Sequence, residues 1–227
     1  MGLQSDYAKL ADEIRACTKC GLCTTRHLVV VDRGDPSAEL VFIGEAPGES
    51  EDASGQAFVG RAGAELDRLL SEAGIGKFLI INVLKCRPPR NKFPGDQDSI
   101  HPVSVVDDCL PWLDAQLNLV RPKVIILVGG KAAGHTIYRG RPMPRVGDIV
   151  GKRMRSQDYP DVEIFGMYHT SYLLRLKNMR RDEYDRERDR TLEMLRSAKK
   201  VLDGESPGGS PVHVSRLNDK GDQLSFF

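Results

Sequence analysis

Five cysteines are the residues of this chain whose type and spacing point most directly to chemistry. Cys17 and Cys20 form a Cys-x-x-Cys pair, whereas Cys86 and Cys109 follow far along the chain and lie 23 positions apart. Thiolates from separate parts of a fold can bind one metal centre, and this spacing suits a [4Fe–4S] cluster at least as well as zinc, whose ribbons usually supply two close pairs. The alternative is a set of ordinary buried thiols, which is our interpretation of Cys23.

Three further stretches carry polar side chains that could act on a substrate. They are GEAPGESED at 44–52, NVLKCRPPR at 82–90 and YHTSYLLR at 168–175. Glycine and proline allow a backbone to approach a ligand closely, while carboxylate, amide and imidazole groups bind substrates or move protons. Each stretch alone also fits a plainer interpretation, such as an acidic turn or a structural histidine.

The elements that must position these stretches alternate along the chain. Runs rich in β-formers occur at residues 39–44, 78–83, 123–128 and 162–168. Helical patterns occur near residues 5–16, 62–73, 105–120, 131–138 and 176–203. Nearly continuous apolar strands are typical of a sheet covered on both faces, so the pattern predicts an α/β fold, a three-layer α/β/α sandwich around a short four-stranded parallel sheet. Ligands bind beyond the carboxyl ends of such strands, where the three polar stretches begin.

Composition limits the classes of partner. Lys and Arg total 33 against 32 Asp and Glu, and the net charge of +1 means that any site for a polyanion must be local. The 227 residues contain neither an apolar run of about 18 residues nor a signal-peptide pattern, so we expect a cytoplasmic monomer that does not bind a membrane. Residues 1–203 are predicted to form one domain, and residues 204–227 are predicted to be a tail with a disordered linker at 204–222.

Taken together, the motifs resemble the uracil-DNA glycosylase superfamily, and in particular its iron–sulfur branch, family 4. The resemblance runs from Cys17 to Arg175 and rests on GEAPG…ED…FVG, N..KCRPP, the cysteine set and YH.S..LR. It implies an enzyme that flips uracil out of DNA and hydrolyses its N-glycosidic bond, which leaves an abasic site and starts base excision repair. It also implies that a [4Fe–4S] cluster is bound by the four cysteines other than Cys23.

The resemblance assigns roles in a base pocket. Asn82 would read uracil through an amide that both donates and accepts a hydrogen bond. Phe58 would stack on the flipped base, beside Gly44 and Ala46 in the same pocket. His169 would stabilise the negative charge that develops on the departing uracil.

A carboxylate is needed to place water and to stabilise the positively charged sugar. A related family carries an aspartate in the first loop at the position of Ala46, which has no carboxylate. We therefore expect Glu51 to serve, with Glu45 as the second candidate, by analogy with the two carboxylates of glycosidases.

Contacts to DNA would come from bulky side chains that enter the base stack and from arginines that meet phosphate. The bulky residues are Tyr172, Leu173 and Leu174, and the arginines are Arg87, Arg90 and Arg175. The alternative for the arginines is solvated surface charge.

Two features depart from the family pattern. Thr170 stands where the family usually has proline after the histidine, so the shape of that loop needs testing. The segment between Cys86 and Cys109 is longer than usual around residues 93–101. A related branch traps its DNA product on a histidine in this region, which makes His101 an alternative nucleophile.

The last five residues resemble the pentapeptide with which bacterial repair proteins bind the replication sliding clamp. The residues expected to bind the clamp are Gln223, Leu224, Phe226 and Phe227. Two phenylalanines on a polar tail are costly to leave in water unless a partner buries them. The alternative is a tail that folds back on its own domain.

Two other function classes stay open on the sequence alone. One is a redox iron–sulfur protein associated with DNA, and the other is a non-catalytic DNA-binding scaffold. Release of free uracil from a uracil-containing oligonucleotide separates the glycosylase from both.

Overall fold

A seven-stranded sheet forms the centre of the protein in the computed structural model, which describes residues 2–139, 144–206 and 210–214. The strands are β1 (Arg33–Gly34), β2 (Leu40–Gly44), β3 (Leu79–Asn82), β4 (Val124–Val128), β5 (Arg153–Ser156), β6 (Tyr159–Met167) and β7 (Val212–Val214). Their order is β1-β3-β2-β4-β6-β5-β7. Strands β3, β2, β4 and β6 are parallel and correspond to the four that the sequence predicts.

The predicted strand number of four is therefore corrected to seven. Strands β1 and β5 add to the two sides of the parallel core in antiparallel orientation, and β7 pairs in parallel with β5. The added strands are short, and β1 and β5 lack the continuous buried pattern of the central ones. Hydrophobic periodicity therefore could not reveal them.

Helices cover both faces of the sheet, which confirms the predicted three layers. They are α1 (Leu3–Arg15), α2 (Glu49–Ser54), α3 (Arg61–Glu72), α4 (Ser104–Val120), α5 (Gly130–Thr136), α6 (Val146–Ile149), α7 (Thr170–Met179) and α8 (Arg181–Leu202). Alternate strand residues point to opposite faces. Residues such as Ile43 and Ile81 pack with α1, α4 and α5 on one face, whereas Phe42 and Ile80 pack with α3, α7 and α8 on the other.

The carboxyl ends of the parallel strands meet at one edge of the sheet. Strand β2 ends at Gly44 and β3 at Asn82, and these two residues are directly paired. Strand β6 ends at Met167, two residues before His169. The fold therefore brings the starts of all three polar stretches together.

The C-terminal region is only partly described. Residues 212–214 form β7, and Val214 is buried against the sheet, so the predicted disordered linker over 204–222 is wrong for this stretch. The predicted clamp-binding residues lie outside the described residues. Among the helices of the described ranges, none combines the length and the hydropathy that crossing a membrane requires.

Candidate active site

A cavity of about 920 Å³ lies beyond the carboxyl ends of β2, β3 and β6. Its walls come from the loop after β2, the turn after β3 and the start of α7. The sequence-predicted residues that line it are Glu45, Ala46, Glu51, Phe58, Asn82, His169, Leu174 and Arg175. The three polar stretches therefore form a single site.

Asn82, Gly44 and Phe58 meet at the ends of β2 and β3. Asn82 is 1% exposed, and its Oδ1 is buried with no hydrogen-bond partner in the described part of the chain. A Cβ atom on Gly44 would lie 2.3 Å from Asn82 Oδ1 and 2.5 Å from Phe58 Cε2. Because glycine has no side chain, the amide and the ring can both approach the end of β2.

Phe58 is held in an uncommon backbone conformation. Its φ of 52° lies in the left-handed region, which non-glycine residues rarely adopt. A Cβ atom on Gly63 would lie only 1.7 Å from the carbonyl oxygen of Phe58, so the first turn of α3 packs directly on this peptide. The surrounding structure thus fixes the ring where it lines the cavity.

Glu51 closes the loop that carries Phe58. Its Oε2 accepts a hydrogen bond from the backbone N–H of Gly48 at 3.0 Å. Its Oε1 accepts from the N–H groups of Val59 at 2.9 Å and Gly60 at 2.8 Å. Three backbone donors engage this carboxylate, so it joins both ends of the loop and stabilises the position of Phe58.

Glu45 is placed differently. Its Oε1 accepts from the backbone N–H of Lys131 at 3.3 Å, and no other donor to it is found within the described ranges. A Cβ atom on Gly129 would lie 2.3 Å from Glu45 Oε1 and 3.4 Å from His169 Cβ, so both residues flank Gly129. Burial raises the pKa of the Glu45 carboxyl, against the lowering effect of the Lys131 N–H and ammonium.

His169 precedes α7 and caps it. Its Nδ1 accepts a hydrogen bond from the backbone N–H of Ser171 at 3.2 Å and lies 2.8 Å from the Ser171 hydroxyl. Burial, with a smaller contribution from Arg175, lowers the pKa of His169 to about 4. The imidazole is therefore neutral at pH 7. Since Nδ1 is an acceptor, its proton lies on Nε2, which is left as a hydrogen-bond donor.

Thr170 fixes the backbone beside His169. Its side chain is fully buried, and its Oγ1 donates to the carbonyl oxygen of Ala62 in α3 at 2.7 Å. This bond ties the start of α7 to the start of α3, which packs on Phe58. The threonine thus anchors the loop where the family usually has proline, a role that the sequence did not reveal.

The bulky residues predicted to enter DNA separate into different environments. Leu173 is fully buried in the core, which contradicts its predicted contact with DNA. Its position in α7 turns it toward the sheet, whereas Leu174 lines the cavity. Tyr172 lines an adjoining cavity of about 450 Å³, and its ring packs on that of Tyr168 with centroids 4.6 Å apart.

The arginines also differ. Arg175 lines both cavities. Arg90 is exposed, whereas Arg87 is half-buried and donates to Asn91 Oδ1 at 2.7 Å. Arg87 also lies 3.9 Å from Glu49. Of these three arginines, all in the described part of the chain, Arg175 alone lines either of the two cavities.

Sequence reasoning missed several residues that line the main cavity. These are Arg61, Phe93, Lys177 and Asn178. Arg61 directly follows the FVG motif and begins α3, so its position was a usable signal for a contact near the pocket. Phe93 lies in the long segment between two cysteines, where no motif indicated a role.

Cys86 and Cys109 lie in the core on the sheet face covered by α1, α4 and α5, and Cys20 packs against that core. Three sulfurs accept N–H hydrogen bonds: Cys17 from Trp112 Nε1 (3.3 Å), Cys86 from Arg26 Nη1 (3.3 Å) and Cys109 from Lys85 N (3.4 Å). Burial raises the pKa of the Cys86 thiol to about 11, with smaller contributions from Cys109 and Cys20. Burial likewise raises the pKa of Cys109, again with contributions from Cys20 and Cys17. These thiols therefore lie within electrostatic reach of one another.

Across the described residues, no three His, Cys, Asp or Glu side chains are grouped so that they could hold one metal ion. The Cys23 thiol donates to the Thr18 carbonyl oxygen at 3.9 Å.

His101 lies beside the cysteine loop. A Cβ atom on Gly21 would be 2.9 Å from His101 Cε1, so the imidazole packs against the turn between Cys20 and Cys23. Its Nε2 is buried and has no hydrogen-bond partner in the described part of the chain. Although His101 is itself described, it does not line the cavity that contains Asn82. This position gives no support to a covalent trap at His101.

Comparison with known proteins adds independent evidence. Residues 31–193 match the family model described as the uracil DNA glycosylase superfamily. The chain is 36% identical over 170 residues to the Type-4 uracil-DNA glycosylase of Saccharolobus solfataricus, which covers 73% of this chain and 76% of that protein. The identity is also 36% to the Type-4 enzyme of Thermotoga maritima over 177 residues (73% and 82%) and to that of Pyrobaculum aerophilum over 179 residues (77% and 88%). The matched region contains every residue that lines the main cavity, and the chain belongs to the uracil-DNA glycosylase superfamily.

Proposed function

We propose that this protein is a monofunctional uracil-DNA glycosylase that hydrolyses the bond between uracil and deoxyribose and so starts base excision repair. The observation that carries the proposal is the buried, unpartnered Oδ1 of Asn82 in a cavity shared with Phe58 and His169. An unpaired buried acceptor is costly, so it indicates a ligand that supplies a donor. Membership of the superfamily and the Type-4 relatives agree with this substrate.

Asn82 gives the site its preference for uracil. The amide oxygen accepts from N3–H of the base, and the amide nitrogen donates to O4. Cytosine would present an unprotonated N3 to the amide oxygen and an amino group to the amide nitrogen. An acceptor would then face an acceptor, and a donor would face a donor. Such mismatched polar groups reject a base far more strongly than a change in shape does.

His169 stabilises the leaving group. When the bond between C1′ and N1 breaks, its electron pair moves to the uracil ring, and negative charge develops on O2. The neutral imidazole donates Nε2–H to that oxygen, and Ser171 holds the ring by Nδ1. A preorganised donor of this kind contributes on the order of 3–4 kcal/mol to transition-state stabilisation.

We assign the positioning of water to Glu45 rather than to Glu51. Glu45 flanks Gly129 together with His169 and has one backbone donor in the described part of the chain. The three backbone donors on Glu51 make it a support for Phe58. As uracil departs, water adds to C1′ and gives up a proton through the Glu45 carboxylate to solvent, while the released uracil anion takes up a proton from solvent. The carboxylate also stabilises the positive charge on the sugar.

The four cysteines other than Cys23 are proposed to bind a [4Fe–4S] cluster. The support is the donor set itself: Cys20, Cys86 and Cys109 pack in one cluster, and N–H groups are directed at the sulfurs of Cys17, Cys86 and Cys109. When bound, the cluster would join the loop after α1, the turn after β3 and helix α4. It has no part in the hydrolytic step that we propose.

Uracil-containing DNA is the proposed partner at the cavity. Leu174 and Arg175 line this cavity, and Tyr172 lines the adjoining one, where they would meet the strand beside the flipped nucleotide. Arg87 and Arg90 would meet phosphate further along the duplex. We expect the enzyme to act as a monomer in the cytoplasm.

Release of free uracil tests the proposed activity. The purified protein is incubated with an oligonucleotide that contains a single uracil, and both free base and abasic DNA are measured. Asn82→Asp is the matched variant, since its carboxylate opposes O4 and should weaken uracil excision while improving acceptance of cytosine. Binding without release would favour a scaffold, and an adduct stable in hot detergent and abolished by His101→Ala would favour the trapping alternative.

The tail is proposed to bind the sliding clamp. The support is the sequence match of Gln223, Leu224, Phe226 and Phe227 after a polar stretch. A peptide of residues 204–227 should bind the cognate clamp saturably, and tethering would raise the local concentration of the enzyme at replicating DNA. Binding that survives replacement of Leu224, Phe226 and Phe227 by alanine would contradict this proposal.

A further inference from the structure

We propose that Phe93 sets the size limit of the base pocket and makes the enzyme reject 5-substituted pyrimidines and purines. The inference deepens the proposed function and rests on it. Phe93 comes from the long segment between Cys86 and Cys109, and it lines the same cavity as Asn82, Phe58 and His169. It is 5% exposed, so its ring forms part of an inner wall.

The segment that carries Phe93 is folded tightly. The N–H of Asp96 donates to the carbonyl oxygen of Phe93 at 3.0 Å, and the N–H of Gly95 donates to that of His101 at 3.0 Å. Gly95 has a φ of 82°, which suits glycine in a tight turn. These bonds fix the backbone on both sides of the turn, so the position of Phe93 is defined by the segment itself.

Helix α5 supports the ring from behind. The ring of Phe93 stacks on that of His135, with centroids 5.4 Å apart and an angle of 25° between the planes. The Lys131 ammonium lies 5.2 Å from the Phe93 centroid and forms an ion pair with Asp96 of the same segment. The wall is therefore backed by an aromatic ring and a paired charge, and retreat of Phe93 would break both contacts.

The same lysine connects this wall to the catalytic carboxylate. The backbone N–H of Lys131 binds Glu45, whereas its side chain holds Phe93 and Asp96. Asn82 is fixed at the end of β3, and Phe58 is fixed by Gly63 and the loop held by Glu51. A base read by Asn82 is held in this cavity by its hydrogen bonds, and in our proposal Phe93 is the wall that extra ring atoms or a 5-substituent would meet.

The test is the ratio of excision rates for different bases under single-turnover conditions. Oligonucleotides carry uracil, 5-hydroxymethyluracil or hypoxanthine at one position. Phe93→Ala should raise the rate for a larger base relative to that for uracil by about tenfold or more, the scale on which removal of apolar atoms alters discrimination. Ile100→Ala is the matched control, because Ile100 belongs to the same segment but is 68% exposed, and its ratio should stay at the parental value.

Two further variants keep the test decisive if Phe93→Ala folds poorly. Phe93→Leu retains an apolar wall of smaller extent, and Asp96→Asn removes the charge that pairs with Lys131. Both should raise the same ratio by a few-fold while leaving the unfolding temperature near that of the parent. Unchanged ratios in folded variants would overturn the role of Phe93. Failure of the parent to release uracil would instead overturn the proposed function, so the two outcomes are distinguishable.

Discussion

The cavity region and the cysteine region use hydrogen bonds in different ways. In the cavity region, backbone groups fix the functional side chains: Ser171 N–H holds His169, and three N–H groups hold Glu51. In the cysteine region, N–H donors meet sulfur atoms whose thiol pKa values are raised by burial. Backbone groups thus organise the cavity, whereas in our proposal a bound metal centre keeps the buried sulfurs ionised.

The two regions share the exit of β3. Asn82 and Cys86 are four positions apart, and the buried Lys85 lies between them. The Lys85 ammonium donates to the carbonyl oxygen of Asn82 at 2.6 Å, while its backbone N–H donates to Cys109 Sγ at 3.4 Å. Lys85 therefore links the cysteine region to the residue that we propose to read the base.

The largest expected effect is loss of iron from the cysteine region. Cys86→Ser should abolish binding of about four irons per chain, because each iron of a [4Fe–4S] cluster needs its own thiolate. Iron content of the purified protein is the measurement, and Cys23→Ser is the control that should retain the metal. A colourless parent with stoichiometric zinc, or iron retained by Cys86→Ser, would refute the cluster.

The next effect belongs to the cavity region. His169→Ala should lower the single-turnover rate of uracil release by about 100- to 1000-fold, because it removes the donor to the leaving base. Iron content should stay at the parental level, since His169 is not one of the proposed ligands. A parental rate for this variant would show that the active site is misplaced.

The two carboxylates give a comparison within the cavity region. Glu45→Gln should slow uracil release by about 10- to 100-fold with little change in stability, because a neutral amide stabilises the sugar cation poorly. Glu51→Gln should mainly destabilise the fold, by about 1–3 kcal/mol, because an amide group offers a single acceptor to three backbone donors. Rates and denaturant unfolding of both variants check this. The reverse pattern would restore Glu51 as the catalytic group.

The pH dependence of stability follows from the low pKa of His169. The pKa of His169 is about 4 in the folded protein and 6.5 in the unfolded chain. As the pH falls below 6.5, protons therefore bind preferentially to the unfolded state. The neutral imidazole contributes fully to the free energy of unfolding above pH 6.5, and this contribution declines toward pH 4. At pH 5 the free energy of unfolding should be lower by about 2 kcal/mol. Denaturant unfolding at pH 7 and pH 5 should show a smaller loss for His169→Asn, which retains a capping side chain. Equal losses in both proteins would contradict the buried neutral imidazole.

The sequence predicted the parts of the molecule that local pattern determines. The four parallel strands follow from continuous apolar runs, and the motifs at their ends identified Asn82, Phe58 and His169 as neighbours. It could not separate Glu45 from Glu51, because only the folded loop shows which carboxylate meets backbone donors. It also could not exclude Leu173, since one helical step decides between the core and the cavity. Phe93 depended on packing against α5, a contact between distant parts of the chain that no motif encodes.

Thr170 gives the smallest predicted effect and the sharpest test of how the cavity region is organised. Its hydroxyl donates to the Ala62 carbonyl oxygen, so Thr170→Val removes a buried hydrogen bond at almost unchanged volume and should cost about 1 kcal/mol. We also expect the single-turnover rate to fall by about tenfold, with unchanged DNA affinity, because a shift of α7 moves His169 relative to the base. Thr170→Ser keeps the hydroxyl and should recover both the stability and the rate.

If Thr170→Val is destabilised but its folded molecules release uracil at the parental rate, the threonine only supports the fold. Recovery by serine together with a parental pH profile would place its effect on the position of His169 rather than on its protonation.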